Sequence, residues 1–330
     1  MSLSEYVKRF NRVNAYVVGD LMLDRYEYGA VRRISPEAPA PILEAEGYGR
    51  IEHRLGGAAN VANNLAALGA RTTIGGRLGD DEYGKIFRSL AEKDLQINQV
   101  YEPGRGTITK VRFFDEGHEL QVFRLDKEGM VWRSPLAEES FSGLMSPLTR
   151  SQHPDIVVLS DYNKGVFRSG FGEEIIFYAR QLNPRPLIAV GPRPANIESF
   201  VYADLICLNL KEASDATGIK DKGLDSVEEM AKNLEKRTHS PNIVITCGKE
   251  GMLIYEKNAG QMIATRPREV YDVTGAGDTT LAAIALSLAS GASLSEAARI
   301  ANEAAGIAVS RIGTTAVGID DLVRALEQSQ

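Results

Sequence analysis

The stretch that decides the reading is YDVTGAGDTT, residues 271–280. Two carboxylates, Asp272 and Asp278, flank three very small residues. The run that follows, TTLAAIALSLAS (279–290), has the period of a buried helix. That order places Gly275, Ala276 and Gly277 at a helix N-terminus. Backbone N–H groups there lack helical acceptors, and the helix dipole favours an anion. Small residues let a phosphate approach the backbone closely. Asp278 then falls in the first turn, beside that anion. A carboxylate there repels a phosphate unless it has a task, and taking a proton from an attacking hydroxyl is such a task. The plainer reading is a tight turn with an acid capping its helix, and this motif alone does not choose between the two.

The bulk properties narrow the field. The chain has 330 residues, 43% of them hydrophobic, enough to bury a sizeable core. A net charge of −6 and a pI near 5.5 argue against a surface for nucleic acid or anionic membrane. Cys207 and Cys247 each lie in an apolar run (LICL, IVITC) and read as two buried, reduced thiols. The four histidines are scattered without zinc spacing. No apolar stretch approaches the ~20 residues that span a bilayer, and MSLSEYVKRF has no signal-peptide core. A soluble, cytoplasmic protein is expected.

Short apolar runs at 15–19, 72–76, 155–160, 186–190, 204–208, 242–246 and 252–256 read as buried strands. Helical periods lie between most of them, at 59–68, 81–93 and 225–237, with Gly69 closing the first and a capping box, SLSE (293–296), opening another. This alternation predicts an α/β fold with a mostly parallel sheet covered on both faces. Two stretches break the rhythm. Residues 25–54 are rich in proline, charge and tyrosine. Residues 104–129 alternate polar and apolar around a DEG turn, a half-exposed hairpin pattern. Together they predict a small β-layer outside the core, which must cover a ligand, a partner or its own copy. No linker separates independent domains.

Other constellations gather at the C-terminal edge expected of the sheet. GGAANVANNLAALG (56–69) is a second glycine-led helix start, with Gly57 and with Asn60 in its first turn. NLKE (209–212) sets Asn209 and Glu212 just after a strand. GDLMLD (19–24) sets Asp20 and Asp24 at the same edge. TCGKEG (246–251), with Thr246, Gly248 and Gly251, reads equally well as a hairpin turn or a nucleotide contact.

GGAAN and DVTGAGDT, in this order and spacing, resemble the two signatures of the ribokinase-like (PfkB) sugar kinases, and NLKE resembles that family's N-x-x-E element. The resemblance covers nearly the whole chain. It implies a three-layer α/β core with a small β-sheet lid, so residues 1–330 are expected to form one kinase domain with lid insertions at about 25–54 and 104–129. GDLMLDRYEYGAVRRISPEAPAPIL, TITKVRF, FRLD and LSDYNKG are more narrowly similar to kinases of D-glycero-D-manno-heptose 7-phosphate, which phosphorylate O1 on the way to ADP-heptose and lipopolysaccharide. The absence of an H-x-G-H-type motif before Gln330 suggests the stand-alone kinase form. One departure stands out: those kinases usually carry an acidic D-P-K or D-P-R where this chain has GPRP, with Gly191 at the acidic position.

The resemblance and the residue-level reading together imply transfer of the γ-phosphoryl group of ATP to a sugar hydroxyl. Asp278 is the expected base, with the amides of Gly275, Ala276 and Gly277 holding the developing charge. Asn209 and Glu212 are expected to order the water shell of Mg²⁺. Asp24, Gly57 and Asn60 match the family's sugar positions. Asn302 and Gly306 match the adenine-side helix. Asp272 and Thr274 match a monovalent-cation loop that takes K⁺. A substrate already carrying a phosphate needs cations, for which Lys110, Arg112, Arg124, Lys164 and Arg33 are candidates; Asp161 and Lys164 in SDYNKG are best placed. A homodimer joined through the lid is expected, with Tyr26, Tyr28, Phe113 and Phe123 on its outer face, and no nucleic-acid or membrane partner. The alternatives are a PfkB kinase for fructose phosphate, ribose or a nucleoside, and a silent sugar- or nucleotide-binding regulator. A dehydrogenase is excluded, since no G-x-G-x-x-G follows the first strand.

Overall fold

The computed structural model describes every residue except 48, 103–104, 119, 129–137, 150–152, 168–169, 267–269, 312 and 329–330. Tyr48, Gly104, Glu119 and Gly129, all within the two expected insertions, therefore lie outside the described residues. The strands are β1 (Asn14–Gly19), β2 (Leu21–Ile34), β3 (Pro41–Glu44), β4 (Arg50–Gly57), β5 (Arg71–Gly79), β6 (Gln96–Glu102), β7 (Thr109–Asp115), β8 (Leu120–Lys127), β9 (Ile156–Ser160), β10 (Leu187–Gly191), β11 (Leu205–Asn209), β12 (Asn242–Thr246), β13 (Met252–Glu256) and β14 (Ala259–Ile263). The helices are α1 (Leu3–Val7), α2 (Ala58–Ala67), α3 (Glu82–Ala91), α4 (Glu138–Met145), α5 (Phe171–Ala179), α6 (Leu210–Thr217), α7 (Leu224–Thr238), α8 (Ala276–Ala289), α9 (Leu294–Val309) and α10 (Ile319–Glu327).

The larger sheet has the order β14-β13-β12-β11-β10-β9-β1-β5-β6. Pairings from β6 to β12 are parallel, and the β12–β13 and β13–β14 pairings are antiparallel. Alternate side chains of each central strand enter different cores. Val17, Val158, Ala189 and Val244 pack against α2, α8 and α9, whereas Val18, Val157, Ile188 and Ile243 pack against α5 and α7. Both faces are therefore covered, which is why these strands are continuous apolar runs. The fold is the expected three-layer α/β core. The strands not anticipated, β6 (QINQVYE) and β14 (AGQMI), are the two edges, where burial does not select apolar residues. Cys207 is buried as expected, whereas Cys247 is only half-buried, and both are free. No described helix is long and apolar enough to cross a membrane.

Strand ends are level where they matter. Gly19 pairs with Ser160, Ser160 with Gly191, and Asn209 with Thr246. The order also reverses at β1: β5 and β6 extend one way, and β9 onward the other. Open α/β sheets build their sites beyond such a switch point.

The second sheet, β3-β2-β7-β8 with β4 also paired to β2, rises from this edge. β4 pairs with the first half of β2 and β3 with its second half, while β7 runs parallel along the other side. The registers put Asp24, Tyr26, Lys110 and Arg112 on one face and Ile51, Phe113, Phe123 and Leu125 on the other. Asp24, Tyr26 and Arg112 are buried, and Phe123 is 61% exposed. Tyr26, expected among the lid's outward aromatics, is thus inward: its hydroxyl accepts from the Thr314 N–H at 3.3 Å, and Arg54 lies over its ring at 4.8 Å.

Candidate active site

Gly275 is the N-cap of α8 and takes φ +82°. A Cβ at this position would lie 2.8 Å from Asn60 Nδ2, so glycine is what lets α2 and α8 meet here. Asp278 follows in the first turn. Its Oδ2 accepts from Asn60 Nδ2 at 2.8 Å, and its Oδ1 accepts from the Tyr162 hydroxyl at 2.5 Å. Asn64, one turn after Asn60, accepts from the Thr279 hydroxyl at 3.0 Å. Burial pushes Asp278 above the ordinary carboxylate range, while Tyr162, Asn60 and the charge of Lys110 pull it back.

A cleft of about 260 Å³ opens beside this carboxylate. Its walls include Gly275 and Gly277 on one side and Gly191, Arg193, Asn209 and Glu212 on another. Ala276 does not face it. Its N–H bonds the Val273 carbonyl at 3.3 Å, and its side chain lines the adjoining cavity. That cavity, mostly apolar and about 530 Å³, shares Thr246 and Gly277 with the cleft and is lined also by Gly248, Gly251, Asn302 and Gly306. The 246–251 segment is thus both a turn between antiparallel strands and a cavity wall. Asn302 spends its amide on the Ile263 and Ala264 carbonyls, at 3.1 and 3.2 Å, and so braces that wall.

NLKE has a local cause. Asn209 caps α6, its Oδ1 accepting from the Glu212 N–H at 2.8 Å, and Glu212 Oε2 accepts from the Asn209 N–H at 3.0 Å. This is a capping box. The second Glu212 oxygen accepts from Arg193. No three His, Cys, Asp or Glu side chains converge as a metal cage among the described residues. Glu212 and Asn209 at the cleft rim instead fit Mg²⁺ held through its waters and nucleotide phosphates. Gly191 lines the same cleft, and a Cβ on it would meet Leu281 Cδ2 at 3.0 Å and the Cys207 carbonyl oxygen at 4.0 Å. Cys207 is another lining residue, its thiol pushed up to about 12 by burial and then by Glu212 and Asp278.

On the lid side, Arg112 Nη1 donates to Asp24 Oδ1 at 2.6 Å, an ion pair of two buried groups. Arg124 pairs with Asp126, Lys164 with Glu128, and Arg33 with Glu44. Lys110 differs from these four: it makes no ion pair with a described residue, and its Nζ sits 5.5 Å from the centroid of the Tyr162 ring. Burial lowers its pKa, against the pull of Asp24. Gly57, at φ +59°, caps α2, where a Cβ would strike the Asp20 carbonyl at 2.5 Å.

Three acids named from the sequence hold loops together. Asp161 reaches the cleft, but its Oδ1 accepts from the Asn163 N–H at 2.7 Å and its Oδ2 from the Arg193 N–H and Asn196 Nδ2 at 3.0 and 2.9 Å. Asp20, fully buried, accepts from the N–H groups of Tyr162, Lys164 and Val166 at 2.8, 3.0 and 3.2 Å. Burial and the neighbouring Asp161 push it up to about 6. Asp272 accepts from the Thr274 and Gly313 N–H groups at 2.8 and 2.9 Å, tying the loop before α8 to the segment after α9. Tyr162, Arg193 and Asn64 were not anticipated. The SDYNKG motif marked the loop of the first, and the i,i+4 spacing of Asn60 and Asn64 in an apolar helix was a signal for the last.

The description of the pfkB family of carbohydrate kinases matches residues 17–321. Among curated proteins, the chain is 36% identical to the bifunctional protein HldE of Magnetococcus marinus, over 96% of this chain and 64% of that protein. It is 37% identical to the bifunctional protein HldE of Caulobacter vibrioides, over 100% of this chain and 66% of that protein. The chain therefore spans about two thirds of the length of these relatives. Among solved structures, phosphofructokinase-2 from Escherichia coli in complex with potassium superimposes with a TM-score of 0.80 at 22% identity, covering 96% of this chain and all of that one. A ribokinase from Thermotoga maritima gives 0.71 at 21% identity, covering 96% and 99%. At such identities these two establish the ribokinase-like fold alone. From the match over 17–321 and the identity to HldE proteins, this chain belongs to the pfkB family of carbohydrate kinases.

Proposed function

We propose that this chain transfers the γ-phosphoryl group of ATP to O1 of D-glycero-D-manno-heptose 7-phosphate. The observation that carries the reading is the position of Asp278. It lies where the inner face of the lid, bearing Asp24, Lys110 and Arg112, meets a cleft walled by Gly275, Gly277, Asn209 and Glu212. The adenine belongs in the apolar cavity next to Gly251 and Gly306, and the triphosphate in the cleft. The heptose belongs under the lid, near Asp24, Gly57 and Asn60.

Asp278 accepts the proton of the attacking hydroxyl, and the N–H groups of Gly275 and Gly277 at the start of α8 face the charge on the transferred group, without Ala276, whose N–H bonds the Val273 carbonyl. Mg²⁺, when bound, neutralises phosphate charge; Asn209 and Glu212 are the residues to hold its water shell. Lys110, the candidate cation that makes no ion pair with a described residue, is the favoured partner for a substrate phosphate. K⁺ at Asp272 and Thr274 is proposed by analogy with the family. The choice of heptose rests on the resemblance of the RISPEAP and SDYNKG segments to heptose 7-phosphate kinases. Residues 1–330 as one domain, a cytoplasmic location and a homodimer through Phe113, Phe123, Leu125 and Ile51 complete the proposal. Coupled ATP turnover with heptose 7-phosphate, fructose phosphate, ribose and a nucleoside tests it, with the phosphorylated position read by phosphorus NMR. Preference for another sugar refutes the substrate, and turnover of none refutes the kinase role.

A further inference from the structure

The Tyr162 hydroxyl lies 2.5 Å from Asp278 Oδ1, while the other oxygen is held by Asn60. The loop that delivers this tyrosine is fixed on two sides. Asp20 takes three of its backbone N–H groups, and Asp161 ties it to Arg193 and Asn196. The Tyr162 ring sits between the two halves of the site, with Lys110 of the lid 5.5 Å and Arg193 of the cleft 4.9 Å from its centroid. Two cations beside a phenol make its O–H a stronger donor. We propose that Tyr162 is the positioning residue of the base: its hydroxyl fixes the Asp278 carboxylate and keeps it ionised for the acceptor hydroxyl.

The inference rests on Asp278 being the base, and it adds a residue that the family motifs in the sequence did not name. Burial and the Asp278 charge hold the Tyr162 phenol well above its usual range, so it remains a donor. A donor to a carboxylate favours the charged form. Each carboxylate oxygen retains a second lone pair for the incoming hydroxyl. The other groups that act on Asp278 are Asn60 from α2, Lys110 from β7 and Asp24 from β2; Cys207 from β11 feels its charge, and Arg193 stands behind Tyr162. None of them is altered by Tyr162→Phe, so a change in the titration of the base reads the lost hydroxyl.

The test is the pH profile of Tyr162→Phe, alone and combined with Asp278→Asn. The single variant is expected to lose about 10-fold in kcat, the scale of one hydrogen bond to a charged group. The acid limb of kcat/KM should move to higher pH, and KM for ATP should stay near wild type. In the Asp278→Asn background the same change should cost nothing further. A wild-type acid limb and kcat in Tyr162→Phe overturn the proposal and leave Asp278 as base. A lower KM for the sugar with undiminished kcat also overturns it, because the hydroxyl then stands in the seat of the acceptor. An equal loss in both backgrounds assigns Tyr162 to the architecture alone. Full activity of Asp278→Asn refutes the base, and the proposal with it.

Discussion

Asp278→Asn is the sharpest test of the site. The replacement is isosteric, and both contacts can survive it. The new Oδ1 can accept from Asn60 Nδ2, and the new Nδ2 can donate to the Tyr162 oxygen, since a phenol both donates and accepts. What disappears is proton affinity at the reacting position. Positioned general bases contribute ~10²–10⁴-fold, or about 3–5 kcal/mol at ~1.36 kcal/mol per tenfold. Stability should not fall. Burial holds the Asp278 pKa above its unfolded value, so the folded state binds the proton more tightly. Above the unfolded pKa, the ionised carboxylate therefore subtracts from stability, and the neutral amide removes that cost. The expected result is a kcat lower by at least about 100-fold, a KM for ATP close to wild type, and a melting temperature equal or higher. Steady-state kinetics with thermal unfolding reads all three. Retention of more than about half of the wild-type kcat would falsify the assignment of the base. A marked drop in melting temperature would show that the carboxylate is structural.

Asp20→Asn tests the loop anchor: with a folded pKa of about 6, Asp20 binds more protons folded than unfolded between pH ~4 and ~6. Wild-type stability relative to the variant should therefore rise as pH falls through that window; a pH-independent difference refutes the shift. Gly191→Asp should fold, because its Cβ meets nothing closer than the end of the Leu281 side chain at 3.0 Å, and should lower the Mg²⁺ concentration giving half-maximal rate. Lost activity with an unchanged Mg²⁺ requirement would mean that the loop has been rebuilt around glycine. Phe123→Glu, at a 61% exposed position on the outer lid face, should convert a dimer to a monomer near 36.0 kDa by light scattering and raise KM for the sugar but not for ATP. A wild-type protein already monomeric at micromolar concentration ends the dimer proposal.

Sequence and structure divided the work along physical lines. The α/β core was legible because burial on both faces of the sheet leaves long apolar runs, and helix periods lie between them. The edge strands β6 and β14 were hidden because one open side relaxes that selection. GAGD was legible because a positive φ at Gly275 and the approach of Asn60 admit no side chain, so the constraint is written locally. The lid was visible as a break in rhythm, but which of its faces is wet was not, and Tyr26 was misplaced on that account. What a carboxylate does was decided by tertiary contacts. Asp20, Asp161 and Asp272 all looked available in the sequence, yet each spends at least one oxygen on a backbone N–H group from a segment that only folding brings near. Asp278 and Tyr162 are separated by 116 residues, and their contact depends on the C-terminal end of β9 and the first turn of α8 reaching the same point. No local pattern encodes that distance, because it is set by the packing of a sheet against a helix and not by the residues on either side of the contact.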